Sequence, residues 1–312
     1  MGLAAVFPGQ GSQSIGMLAD LADAFPLVEE TFREASEVLG YDLWRVCQEG
    51  PEEKLNATEC TQPAMLAAGV AVWRVWRRQG GPEPDAMAGH SLGEYSALVC
   101  ARSVRFADAV ALVASRGRFM QDAVPMGQGA VAAVIGMADD DVDAACRAVE
   151  QDEVVRPVNF NAPGQVVLAG HAAAVARAIE RARESGARRA VLLPLSVPVH
   201  SPLMEPAAER FRSRIEEVEF ATPEVPVIAN VGLEPHGSAE SIRERLVRQL
   251  HSPVPWTATV RRLADFGIGE VLEPGPGRVL SGLNRRIDRG MKAHAVFDPP
   301  SLDAALRARS DG

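Results

Sequence analysis

The chain has 312 residues, 47% of them hydrophobic and 23% charged, and a formal net charge of -9. That balance suits a globular protein with a sizeable core and excludes collagen-like, low-complexity and disordered readings. The negative charge argues against nucleic acid as a partner, because neutralising phosphates takes a basic face. No apolar run reaches the length of a membrane span, and the first residues carry no basic leader or cleavage site, so a cytoplasmic protein without membrane attachment is expected. The four cysteines, Cys47, Cys60, Cys100 and Cys146, show no Cys-x-x-Cys pairing and no histidine at ligand spacing. They are expected to act as small core hydrophobes, with neither disulfide nor metal.

A buried strand is predicted over residues 3–7, stopped by Pro8-Gly9-Gln10-Gly11-Ser12-Gln13, which is too glycine-rich to continue it. Gln10 and its neighbours either offer backbone N–H groups to an anion or simply connect strand to helix. Residues 21–78 are helical by period, with breaks expected at Pro26, Gly50-Pro51 and Pro63, and with Val70, Trp73, Val75 and Trp76 as core. After the Gly80-Gly81-Pro82-Glu83-Pro84 break, apolar residues 86–88 lead into Gly89-His90-Ser91-Leu92-Gly93, and helix-forming residues 94–99 follow. A Gly-x-Ser-x-Gly turn between strand and helix tolerates a strained backbone and lifts the serine hydroxyl above a sheet edge. The N–H of Leu92, at the positive end of the new helix, is placed to meet an oxyanion. Strand, glycine turn and helix in that order predict a parallel α/β sheet.

The helix predicted over 105–121 carries its apolar stripe on Ala109, Leu112, Val113 and Met120, and Arg116 lies on the same stripe. An arginine facing a core needs an anion, either a carboxylate such as Asp108 or Asp122 or a negatively charged ligand gripped by the guanidinium fork. Beyond the flexible junction at 125–129, strands are predicted over 130–135, 154–159, 165–169 and 190–195, with helices over 139–150 and 172–185. The order βαββαβ is the split, ferredoxin-like unit. The fold class is therefore α/β: an α/β-hydrolase-like large domain with a parallel sheet (1–125 and 197–312) and an inserted ferredoxin-like small domain (126–196), with a ligand cleft expected between them. The chain returns through residues 197–202 into a helix over 203–218. His200 sits where a strand has ended and a helix begins, far in sequence from Ser91, and is the candidate general base. Its rivals are His90, which would project away from Ser91, His171, which resembles a helix cap, and His236, His251 and His294. Strands over 225–229 and 268–272 complete the large sheet. Glu273-Pro274-Gly275-Pro276-Gly277 forms another strand-end loop, residues 278–289 a closing helix, and the tail beyond 304 is expected to fray.

Taken in order, FPGQGSQ (7–13), TQPA (61–64), GHSLGEYSAL (89–98), RGRFMQ (116–121), NFNAPGQVVLAG (159–170), SVPVH (196–200), RQLHSPVPW (248–256) and EPGPGRVLSGL (273–283) resemble the malonyl-CoA:acyl carrier protein transacylases over essentially the whole chain. The resemblance implies that Ser91 takes the malonyl group as an ester, that His200 is its base, and that the backbone N–H groups of Gln10 and Leu92 form the oxyanion hole. It further implies that Arg116 holds the malonyl carboxylate. Gln249 replaces an acidic third triad member by offering its backbone carbonyl to the histidine, and Gln62 and Asn159 line the pocket. No cofactor is implied; the substrates are malonyl-CoA and holo-acyl carrier protein, and a monomer is expected. Relatives from fatty acid synthesis commonly read Val-Pro-Ser-His where this chain has Val199 before His200, a change that bears on pocket polarity. The absence of the aromatic residues found before this histidine in many polyketide-synthase acyltransferases favours a discrete fatty acid enzyme. Three competing readings are a hydrolase on the same elbow, which would lack an obvious acidic triad partner, an acyltransferase serving a polyketide assembly line in trans, and a non-catalytic carrier-protein binding module.

Overall fold

The computed structural model describes residues 1–195 and 197–310. Ser196, which opens the SVPVH segment and ends the predicted small domain, and residues 311–312 of the predicted tail lie outside the described residues. The first third contains β1 (Gly2–Phe7) and helices α1 (Ala19–Ala24), α2 (Leu27–Leu39), α3 (Leu43–Glu49), α4 (Glu52–Asn56) and α5 (Thr58–Arg78). There follow β2 (Ala86–Gly89), α6 (Gly93–Cys100) and α7 (Phe106–Ala123), then β3 (Gly129–Ile135), α8 (Asp139–Val149), β4 (Val155–Ala162), β5 (Gln165–His171), α9 (Ala172–Glu184) and β6 (Arg189–Leu192). A 3-10 turn at Pro202–Met204 leads into α10 (Glu205–Ile215), and the chain ends with β7 (Val227–Ile228), α11 (Ala239–Gln249), α12 (Trp256–Asp265), β8 (Ile268–Pro274), α13 (Val279–Ile287), β9 (Lys292–Val296) and α14 (Pro299–Ser310).

The strands form two separate sheets. One is five-stranded, in the order β7-β2-β1-β8-β9, with every neighbouring pair parallel. Because side chains alternate along a strand, the two faces of β1 feed different cores. Leu3, Ala5 and Phe7 join Met87 and Leu272 beneath α2, α5, α6 and α7, whereas Ala4 and Val6 join Ala86, Ala88, Val271 and the Trp256, Val260 and Leu263 stripe of α12. A parallel sheet covered on both faces has no wet side, which is why its strands read as apolar runs. The second sheet is antiparallel, in the order β4-β5-β3-β6. Ala132, Val134, Val166 and Leu168 pack one of its faces against Val142 and Cys146 of α8 and Val175 and Ala178 of α9. Edge strand β4 of the antiparallel sheet is tied to the segment between α11 and α12. Phe160 N–H donates to the Val254 carbonyl at 3.0 Å, and Val254 N–H donates to Val158 at 2.8 Å.

Several sequence expectations are corrected. Pro63 does not interrupt the helix: α5 runs straight through it. The missing N–H forfeits one bond near the helix start, and the buried run from Ala64 to Trp76 outweighs that loss. The tail is helical to Ser310, because Leu302 and Ala305 are buried and Arg309 pairs with Glu270 at 2.8 Å. The helix after β8 does not close the chain, since β9 follows it and adds the edge strand. Helices α11 and α12 were not anticipated. All four cysteines are buried and unbridged. Among the described residues no helix is long and apolar enough to cross a membrane, and no group of His, Cys, Asp or Glu is arranged to hold a metal.

Candidate active site

The turn between β2 and α6 is built by steric necessity. A Cβ on Gly89 would lie 1.8 Å from the Gly93 carbonyl carbon, and one on Gly93 would lie 2.0 Å from the Phe7 carbonyl oxygen, so only glycine fits at either position. Between them Ser91 adopts φ 51°. Left-handed backbone at a non-glycine residue costs on the order of 1 kcal/mol and needs support. Asn230 gives that support: its Oδ1 accepts the Ser91 N–H at 2.9 Å and its Nδ2 donates to the Gly89 carbonyl at 2.7 Å.

The Ser91 Oγ lies 2.7 Å from His200 Nε2, and His200 Nδ1 lies 2.8 Å from the Gln249 backbone carbonyl. A carbonyl only accepts, so Nδ1 carries the proton and Nε2 presents its lone pair to the Ser91 hydroxyl. His200 also has positive φ, 62°, and is fixed by its N–H donating to Leu250 at 3.1 Å. Burial, and then the charge of Arg116, push the imidazole down from its ordinary value to about 3, so it stays neutral. His90 lies on the other side of the turn, 2.8 Å from Asn161 Oδ1. His171 starts α9 and accepts from the Val154 N–H at 2.9 Å.

Arg116, 1% exposed, reaches the same hydroxyl, with Nη2 donating to Ser91 Oγ at 3.2 Å. Its other acceptors are Gln62 Oε1 at 2.8 Å and Gln249 Oε1 at 3.0 Å. Among the described residues no carboxylate pairs with it. Asp122 is taken by Arg210 and Asp108 by Arg105, so neither bland partner proposed from the sequence is used. A buried guanidinium held only by neutral oxygens is costly, and burial pushes its proton affinity down. An entering carboxylate would relieve that cost.

The backbone N–H groups of Gln10 and Leu92 have no intramolecular acceptor among the described residues. The Gln10 loop is packed onto the turn, since a Cβ on Gly9 would meet the His90 carbonyl oxygen at 2.5 Å. Ser91, His200, Arg116, Gln62 and Gln249 thus form one hydrogen-bonded network, with Leu92 following Ser91 at the start of α6. Asn159 stands apart. It sits on β4, bridged to Val254, and its Oδ1 has no hydrogen-bond partner among the described residues. Val199 packs partly buried against the main core. The sequence reading missed Asn230 and Glu94 and named His236 only as a rival of His200. Glu94 is buried beneath the turn, 2.8 Å from His236 Nε2, and accepts the Asn230 N–H at 3.0 Å and Gln249 Nε2 at 2.7 Å.

A neutral histidine on a serine hydroxyl, free amides beside it and a buried cation within reach define an acyl-transfer site. The family model described as acyl transferase domain matches residues 5–284. The malonyl CoA-acyl carrier protein transacylase of Salmonella typhimurium is 54% identical over 301 residues, covering 96% of this chain and 97% of that protein. The chain belongs to the acyl transferase family and, within it, to the malonyl CoA-acyl carrier protein transacylases. Among solved structures, a malonyl-transacylase in complex with its type II PKS acyl-carrier protein matches with TM-score 0.97 and 55% identity, over 99% of this chain and 100% of that one. The acyl carrier protein S-malonyltransferase of Vibrio cholerae matches with TM-score 0.94 and 53% identity, over 97% and 99%.

Proposed function

We propose that the protein moves a malonyl group from malonyl-CoA to the phosphopantetheine thiol of acyl carrier protein through a malonyl ester on Ser91, supplying extender units for fatty acid synthesis. The observation that supports this best is the buried, carboxylate-free Arg116 guanidinium 3.2 Å from the nucleophile. An acyl group that ends in a carboxylate finds its counter-charge within an acyl length of the hydroxyl. In the first half-reaction Ser91 Oγ attacks the thioester carbon while His200 Nε2 takes the hydroxyl proton. The C–S bond breaks, and the imidazolium returns the proton to the departing CoA sulfur. In the second, His200 takes the carrier thiol's proton, the sulfur attacks the ester carbon, and the proton returns to Ser91 Oγ as the C–O bond breaks. Both steps pass through a tetrahedral oxyanion, which we assign to the N–H groups of Gln10 and Leu92. Gln62 and Gln249 hold Arg116, and Asn159 lines the cleft. These steps balance without a cofactor.

The same reading takes 1–125 and 197–312 as an α/β-hydrolase-like catalytic domain and 126–196 as an inserted ferredoxin-like domain. The strand order β4-β5-β3-β6, with α8 and α9 on one face, supports the latter. The neighbour in complex with a type II PKS acyl-carrier protein favours one second reading, identical chemistry serving a polyketide carrier. Initial rates with malonyl-CoA and holo-acyl carrier protein varied together test the mechanism. Parallel double-reciprocal lines are expected, and intersecting lines would overturn the covalent intermediate.

A further inference from the structure

We propose that Glu94 is a positioning residue of this site, a buried carboxylate that fixes the orientation of the Gln249 side-chain amide and, through it, the aim of Arg116. The inference rests on reading Arg116 as the holder of the acyl carboxylate. Glu94 is 1% exposed, three residues past the nucleophile on α6. Its Oε2 accepts from Gln249 Nε2 at 2.7 Å and from the Asn230 N–H at 3.0 Å, and its Oε1 faces His236 Nε2 at 2.8 Å.

A carboxylate only accepts, so the NH2 of the Gln249 amide must turn toward Glu94, where its second hydrogen reaches the Ser91 carbonyl at 3.1 Å. The amide oxygen is thereby turned to Arg116 Nη2, which it accepts at 3.0 Å. Flipped, the amide would set donor against donor at the guanidinium and acceptor against acceptor at Glu94, two unmet buried pairings at once. Gln249 therefore has two separable functions: its backbone carbonyl orients His200, and its side chain relays Glu94 to Arg116. The relay bears on recognition of the acyl carboxylate and leaves the Ser91–His200 pair to the backbone. Burial weakens the guanidinium's hold on its proton, and the charge of Glu94 opposes that effect. His236 Nε2 donates to Glu94, and its Nδ1 has no partner among the described residues.

The test compares kcat and KM for malonyl-CoA and acetyl-CoA, with holo-acyl carrier protein as acceptor, in wild type, Glu94→Gln, Gln249→Ala and the double variant. Glu94→Gln places an NH2 where three donors converge. It should lower the malonyl-to-acetyl ratio of kcat/KM about tenfold or more, chiefly through the KM for malonyl-CoA. Gln249→Ala should lower that ratio similarly, and the double variant should be no worse than the worse single, because both act through one relay. Equal losses on both acyl groups, or losses that multiply in the double variant, would overturn the proposal. If Glu94→Gln gives no cooperative thermal transition, Gln249→Ala decides alone, and an unchanged ratio overturns the relay. A wild-type protein that forms no malonyl ester would refute the acyl-transfer reading itself, whereas an active wild type with an unaltered Glu94→Gln preference would refute only the role of Glu94.

Discussion

Replacing Arg116 with alanine separates recognition of the acyl carboxylate from chemistry. The guanidinium now donates to Gln62, Gln249 and Ser91, and all three acceptors are neutral. A malonyl carboxylate arriving there would gain charge-assisted hydrogen bonds in a water-excluded pocket, each worth about 1.5–3 kcal/mol. Two such bonds amount to about 2–4 kcal/mol after loss of the existing contacts, or roughly 30- to 10³-fold in kcat/KM at 1.4 kcal/mol per decade. Acetyl-CoA has no carboxylate and forfeits none of this. Some loss is common to both substrates, because Arg116 also touches Ser91 Oγ, but it cancels in the ratio. The assay is the ratio of kcat/KM for malonyl-CoA over acetyl-CoA, measured on protein whose Tm lies within about 5 °C of wild type. A ratio unchanged in Arg116→Ala would refute the assignment of the arginine and the argument from its lack of a directly paired carboxylate among the described residues.

The remaining predictions concern the base, the turn and its support. Because His200 is held neutral far below an ordinary histidine, single-turnover formation of the acyl-serine should stay level as pH falls through 6.5 and decline only in more acid solution. An inflection near 6.5 in that profile would contradict the geometry. The same depressed value makes the unfolded chain the better proton acceptor below 6.5. The stabilising contribution of His200 is thus full above that pH and is lost as pH falls toward 3, a slope that His200→Ala should flatten in urea titrations. Gly93→Ala, with its Cβ 2.0 Å from the Phe7 carbonyl oxygen, should cost several kcal/mol and lower Tm by many degrees, whereas Ser91→Ala should leave Tm nearly unchanged. Asn230→Ala strands the Ser91 N–H and the Gly89 carbonyl. It should slow malonyl and acetyl transfer alike by about 1–3 kcal/mol of barrier, and a selective loss on malonyl would place Asn230 in recognition instead.

Local chemistry is what made part of this site readable. Gly89-His90-Ser91-Leu92-Gly93 declares itself because the close approaches at Gly89 and Gly93 forbid any other residue, and Arg116 stands out as a cation on an apolar stripe. Its acceptors were beyond local reading, since Gln62 and Gln249 arrive from 54 and 133 positions away; the family resemblance marked both residues, Gln62 as pocket-lining and Gln249 for its backbone carbonyl, but not as acceptors of Arg116. Glu94 read as an ordinary helix former. Its partners Asn230 and His236 lie 136 and 142 positions on, and no periodicity announces a pairing at that range. Helix α12 was legible in principle, with Trp256, Val260 and Leu263 at i, i+4 and i+7, as was the tail, with Leu302 and Ala305 at i and i+3. Pro63 misled because a proline rule weighs one lost hydrogen bond and cannot see the buried face that the rest of α5 presents.

The most direct test of the account is the intact mass of the protein after brief mixing with malonyl-CoA, followed by peptide mapping and a chase with holo-acyl carrier protein. The account predicts one malonyl adduct, located on Ser91, absent from Ser91→Ala and transferred to the carrier during the chase. An adduct on another residue, or malonyl-carrier protein formed by Ser91→Ala at the wild-type rate, would contradict it.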